Sequence, residues 1–167
     1  MIGISEMYRI GEDGTTVTQS GKINVFDPQP EDIKIIDIAW SLSYHATRWF
    51  GKGHTFFPVS QHCCQAFDLA SDKNKLAALL HDASEAYLLD LPKPIKGRMP
   101  EYQRIEDNLM LAIADKFGFE YPLNEEVKRI DRVLLEDEWV YYVQKNTKHI
   151  WDGQTAMSGF LKRFNKL

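Results

Sequence analysis

Leu80-His81-Asp82-Ala83-Ser84-Glu85 places a histidine and two acids inside a run that also holds Leu76, Ala77, Leu79, Ala86 and Tyr87. Burying a carboxylate without a partner costs on the order of several kcal/mol. A His-Asp dipeptide in such a run therefore needs a compensating charge. Imidazole nitrogen and carboxylate oxygen together suit a divalent transition ion. Consecutive helical side chains diverge by about 100°, so both can bracket one ion only if further ligands arrive from other helices. Two residues fit. His62 lies in Val59-Ser60-Gln61-His62-Cys63, and Asp131 lies among Val127, Ile130, Val133, Leu134 and Leu135. Two histidines and two aspartates from three helices form an N₂O₂ set, and an octahedral ion keeps two positions for water and a substrate oxygen. Asp137 is a rival for Asp131. With Glu136 and Glu138, however, it reads as part of a solvated acidic face. Glu85 is three residues after Asp82 and four after His81, and so shares their helical face.

The elements that must hold these residues follow from periodicity and punctuation. Thr15–Thr18 and Lys22–Phe26 are β-branched or alternating segments set off by Gly11, Gly14 and Gly21, which predicts a short hairpin or extended arm. From Asp32 the pattern turns helical, with Ile35, Ile36, Ile38, Ala39 and Leu42 at spacings of three and four. A loop with Gly51 and Gly53 follows. Pro58 suits a first helical turn, which predicts a helix to about Leu69. Ser71 or Asp72 is the expected cap of a central buried helix running through Tyr87 and ending before Pro92 and Pro94. Further helices are expected over 100–117, stopped by Gly118, over 124–142, and over 155–164. The chain reads as one all-α domain over 1–167: a β arm at 1–30, a helical metal-binding core at 31–145 and a tail helix at 146–167.

The bulk numbers narrow the class. Length suffices for one core. A formal charge of −4 and a pI near 5.7 argue against a nucleic-acid polymer as partner. No apolar run approaches the roughly 20 residues of a membrane span. Met1-Ile-Gly-Ile-Ser-Glu shows no basic region followed by an apolar run, so a cytoplasmic protein without a membrane partner is expected. Cys63 and Cys64 are adjacent, a poor geometry for a disulfide, and read as small buried thiols. Of the other histidines, His45 and His54 read as solvated loop residues and His149 as idle.

His62, His81-Asp82 and Asp131 together resemble the signature of the HD-domain phosphohydrolases, a superfamily of helical metal-dependent enzymes. Three further segments are similar to its 5′-deoxynucleotidase branch: Glu85 as His-Asp-x-x-Glu, Asp90-Leu91-Pro92-Lys93-Pro94-Ile95-Lys96, and Arg48-Trp49 ahead of the first histidine. The small phage-type dATP triphosphohydrolases are also similar. The resemblance covers residues 36 to 142.

It implies an HD-domain helical bundle with a metal held by His62, His81, Asp82 and Asp131. The ion would be Mn, Fe, Co, Ni or Zn. Glu85 and Asp90 are the implied catalytic acids, orienting or deprotonating water and protonating the leaving oxygen. Arg48 and Lys96 would neutralise phosphate. Trp49 would stack on a base or sugar, with Pro94 as the opposite wall. The bland alternatives are a turn-capping Asp90, solvated Arg48 and Lys96, and a core Trp49. Trp40, Trp139 and Trp151 read as packing residues. The expected function is a 5′-deoxynucleotidase acting on deoxynucleoside monophosphates. The alternatives are a deoxynucleoside triphosphate triphosphohydrolase and, of another class, a non-catalytic HD binding module. A homo-oligomer is expected, with the N-terminal arm and the tail as candidate interfaces because neither is needed for the metal core.

Overall fold

The computed structural model describes residues 13–49 and 55–167. Gly11, Gly51, Gly53, His54 and the first part of the arm lie outside them. The architecture is mostly helical, with a small antiparallel sheet at the N-terminal side. Strands β1 (Thr15–Val17) and β2 (Lys22–Asn24) pair with Thr16 opposite Ile23. The hairpin is anchored at both faces. Ile23 enters the main core, and the Ser20 amide and hydroxyl donate to Asp37 at 2.8 and 2.7 Å. Gly14 has φ +87°, and a Cβ there would meet the Phe26 ring at 2.3 Å, so the entry to the hairpin requires glycine.

A 3₁₀ turn at Pro30–Asp32 leads into α1 (Ile35–Tyr44), and α2 (Val59–Leu69) follows a proline cap at Pro58. The central position belongs to α2, not to the segment after Ser71. It is buried on nearly all sides and packs against α1, α3, α7 and α8. The expected helix through Tyr87 is divided. A 3₁₀ turn at Asp72–Asn74 opens α3 (Lys75–Leu80), residues 81–84 form tight turns, and α4 spans Glu85–Leu88. Hydrogen bonds here run to the third residue back, Ala83 to Leu80 at 3.0 Å and Glu85 to Asp82 at 3.1 Å. This is 3₁₀ geometry, which changes the angular offset between successive side chains. Ser71 makes no cap bond to this helix; its amide and hydroxyl donate to Glu126.

After α5 (Lys93–Lys96) comes α6 (Pro100–Phe117), closed by Gly118 in the left-handed region at φ +78°. Asn124 caps α7 (Glu125–Glu138) by accepting from the Glu126 and Val127 amides. The last helical stretch of α7 widens into a π-helical segment, Trp139–Gln144. Helix α8 (Gly153–Phe164) starts at Asp152, whose side chain accepts from the Thr155 amide. It is not a loose tail. Ala156 and Phe160 are fully buried, and Gln61 on α2 accepts from the Trp151 amide while donating to the His149 carbonyl. The described part of the arm is likewise packed on the core, through Ile23.

Two clusters make the interior. The larger joins β2, α1, α2, α3, α6 and α8 through Ile38, Leu42, Cys63, Leu79, Leu80, Ile113 and Phe160. The smaller sets Ala66, Ala70, Ala77 and Ala78 against Val127, Ile130 and Leu134. Four alanines let α7 approach α2 and α3 closely, and that approach delivers Asp131 to the histidines. No helix of the described residues is long and apolar enough to cross a membrane.

Candidate metal centre

His62 sits mid-way along α2 and is fully buried. Its Nδ1 is 2.7 Å from Glu138 Oε1. A carboxylate only accepts, so Nδ1 carries hydrogen and Nε2 faces the centre. His81 is oriented in the same way: its Nδ1 lies 2.8 Å from the Ala78 carbonyl, again a pure acceptor, and its Nε2 faces inward. The two Nε2 atoms are 3.0 Å apart. Asp131 Oδ1 stands 3.2 Å from His62 Nε2 and 3.8 Å from His81 Nε2. Asp82 Oδ2 stands 3.6 and 3.3 Å from the same atoms.

Four donor atoms from α2, the turn after α3 and α7 thus converge. Ligands held at about 2.0–2.2 Å from one ion stand about 3.0–3.5 Å apart; the separations of 3.0, 3.2 and 3.3 Å lie in that range, and those of 3.6 and 3.8 Å lie just beyond it. The chemistry fits as well. Two inward imidazole nitrogens beside two carboxylates require a cation, either a proton or a metal ion. Asp82 Oδ2 is buried and has no hydrogen-bond partner, and a metal ion would satisfy it. Two overlapping groups could hold a metal ion, His62 with His81 and Asp131, and Cys63 with His81 and Asp82, and His81 is common to both. Cys63 also lies near His81 and Asp82. Burial pushes its thiol well above the ordinary range, with Asp82 adding to the shift, so it is a poor thiolate donor.

With no metal the cluster turns to protons. Burial opposes a charge on His81, but Asp82 and Asp131 outweigh it and raise its pKa to about 9. Burial likewise acts against ionised Asp131, yet the two histidines hold its carboxyl far below the usual range. Half of the Asp131 side chain is nonetheless open to solvent, at 42%, and marks the mouth of the centre.

Around the donors lie the other residues expected from the sequence. Glu85 is buried. Burial, then Asp82 and Asp90, push its carboxyl well up, against the opposing pull of Arg48 and Lys96. Asp90 is exposed and pairs with Lys96 at 3.0 Å; Lys96 also donates to Glu106 at 2.7 Å. Leu89, just before Asp90, is left-handed at φ +58°, and its carbonyl accepts from the Tyr102 hydroxyl. Pro94 is exposed on α5 and makes no described contact with the centre. His45 and His149 are exposed. A cavity of about 260 Å³ lined by Asp37, Trp40, His45 and Tyr87 lies between the hairpin and α1, and no candidate ligand lines it.

Arg48 and Trp49 reach the centre by a route the sequence did not indicate. Arg48 Nε donates to Glu138 Oε2 at 3.0 Å, and Trp49 Nε1 donates to the same oxygen at 2.9 Å. Arg48 also stands 3.7 Å from Asp82 Oδ2. Glu138 is therefore not part of a solvated face: it is 0% exposed. Burial alone would raise its pKa, but His62 and Arg48 lower it to about 2. The signal that could have separated it from Glu136 and Asp137 is its spacing. Glu138 follows Asp131 by seven residues, two helical turns, and so returns to the same face.

A helical chain with a candidate metal centre of two histidines and two aspartates is the class that fold and site define. No family model matches the chain. It is 37% identical over 122 residues to the uncharacterized protein YfdR of Escherichia coli K12, covering 72% of this chain and 68% of that one. It is 35% identical over 118 residues to an uncharacterized protein of Rhodobacter capsulatus, covering 65% of this chain and 60% of the relative. The chain belongs to the same family as YfdR.

Proposed function

We propose that this protein is a metal-dependent phosphohydrolase of the HD superfamily that acts on deoxynucleotides, most simply as a 5′-deoxynucleotidase. The observation that carries the reading is the convergence of His62 Nε2, His81 Nε2, Asp82 Oδ2 and Asp131 Oδ1, with both imidazoles turned inward by their outer partners. A divalent ion held there supplies Lewis acidity toward a phosphoryl oxygen and toward water.

The chain's own residues divide the remaining work. Arg48 is held by Glu138 through Nε and stands with Nη1 3.7 Å from Asp82, and its guanidinium would offer charge to a phosphate beside the centre. Lys96 adds a second positive charge, held in place by Asp90 and Glu106. Glu85, whose carboxyl is pushed well up by burial and by the neighbouring Asp82 and Asp90, would serve as the donor to a leaving oxygen. Asp90, solvated and ion-paired, is the complementary carboxylate to orient or deprotonate water. The Trp49 indole would offer a flat face for a base or sugar, and it packs tilted at 44° against Trp139, with 5.4 Å between ring centroids.

The test is to strip the protein with chelator and restore Mn²⁺, Co²⁺ or Zn²⁺ one at a time. Deoxy- and ribonucleoside mono- and triphosphates are then screened with wild type and Asp82→Ala. Metal-dependent phosphate release from monophosphates that is lost in the variant is the expected result. Tripolyphosphate release instead would make the protein a triphosphohydrolase. Metal binding with no turnover on any nucleotide would sink the nucleotidase reading and leave a binding module.

A further inference from the structure

Glu138 joins two groups of residues that the proposed function treats separately. One carboxylate oxygen faces the ligand His62, and the other accepts from both Arg48 and Trp49. The carboxylate is wholly buried, so water does not compete for any of the three bonds. Two further observations single out this junction. Trp49 is left-handed at φ +57°, a conformation that a bulky residue holds only when its surroundings impose it. Among the described residues it meets Glu138, to which it donates, and the ring of Trp139, the residue after Glu138. Directly after Glu138 the α-helix widens into a π-helical segment, a local irregularity often found at functional sites.

Resting on the metal reading above, we infer that Glu138 is a positioning residue that couples occupancy of the metal site to the placement of Arg48 and Trp49. With a cation bound at His62 Nε2, Nδ1–H would become a stronger donor and would draw the Glu138 carboxylate toward it. The opposite oxygen carries that displacement to the indole and guanidinium. Coupling of this kind is reciprocal: whatever loosens Trp49 must weaken the metal. Trp49 donates to Glu138 and not to any of the four proposed ligands, so its effect on metal affinity reads the coupling itself.

The experiment is a Co²⁺ titration of the stripped full-length protein in competition with a chelator, without nucleotide. Wild type, Glu138→Gln, Trp49→Phe and the double variant are compared, each checked by circular dichroism. Trp49→Phe keeps a stacking ring and deletes the N–H. The expected result is a loss of affinity of about 10- to 100-fold for Glu138→Gln, a smaller loss for Trp49→Phe, and no additional loss when Trp49→Phe is added to Glu138→Gln. Unchanged affinity in Trp49→Phe, or the same loss in the Glu138→Gln background, would overturn the coupling while leaving the metal site standing. Wild-type protein that takes up no Co²⁺ would overturn the metal reading and the coupling with it. If Glu138→Gln loses its helical signal, Trp49→Phe alone decides by the same criterion.

Discussion

Asp82 Oδ2 is buried without a hydrogen-bond partner, and His81 holds a proton against its burial because carboxylates face it. In metal-stripped protein these two observations set a pH dependence. His81 rises from an ordinary 6.5 to about 9, facing Asp82, Asp131 and His62. Its contribution to stability is full below about pH 6.5 and is lost as pH climbs through about 9. Glu138 moves the other way, from 4.5 to about 2. Its contribution is present above about pH 4.5 and disappears as pH falls through about 2. Urea melts of the stripped protein should therefore show these two contributions together between about pH 4.5 and 6.5, with a decline toward pH 9. Loading a metal must displace the His81 proton, so calorimetry in buffers of different ionisation heat should register proton release at pH 7. Glu85→Gln tests the proton donor separately: turnover should fall by about 10²- to 10⁴-fold, while Co²⁺ affinity stays near that of wild type.

At the scale of elements, the centre depends on how α7 and α8 dock. Helix α7 approaches through Val127, Ile130 and Leu134 against alanines, and its first turn is held by Asn124, which also donates to Asn74 at 2.7 Å. Asn124→Ala should cost about 1 kcal/mol as a lost cap, with the larger part of any excess reporting the orphaned Asn74. Helix α8 contributes Phe160, fully buried against the main core. Phe160→Ala should destabilise by about 3–5 kcal/mol in urea unfolding. A loss well under 1 kcal/mol would contradict the packing of the tail described here. The division of the segment after Ser71 also belongs to this scale. A continuous α-helix would send His81 and Asp82 about 100° apart, and the tight turns at 81–84 open that offset to about 120°; the two side chains still meet at their tips, with His81 Nε2 3.3 Å from Asp82 Oδ2.

For the molecule as a whole, an ion held by ligands from α2, the turn after α3 and α7 would cross-link the smaller core cluster to the larger. Metal binding to the folded state alone must stabilise it in proportion to the logarithm of free metal over its dissociation constant. Thermal melts should rise with added Mn²⁺ or Co²⁺ and return on chelation, and Asp131→Asn should abolish the rise. The half-exposed Asp131 should tolerate that change without loss of the metal-free fold. A melting temperature indifferent to every divalent ion would count against the centre.

The elements most local in character were legible in the sequence. The hairpin follows from β-branched residues between glycines, α2 from Pro58, α6 from Pro100 and Gly118, and α7 from its apolar stripe. His62, His81, Asp82 and Asp131 were singled out as charged groups in apolar runs together with the resemblance to the HD signature, and the structure sets their side chains near one another. The sequence by itself determined those types, spacings and helical faces. Tertiary structure alone decided three matters: that α2 is the hub, that the tail closes the core, and that Glu138 is an interior carboxylate. Each depends on which neighbour covers a given face. Periodicity shows that a residue lies on a face, but burial arises only when another element packs against it. For Glu138 that element is the Arg48–Trp49 segment, some ninety residues away along the chain.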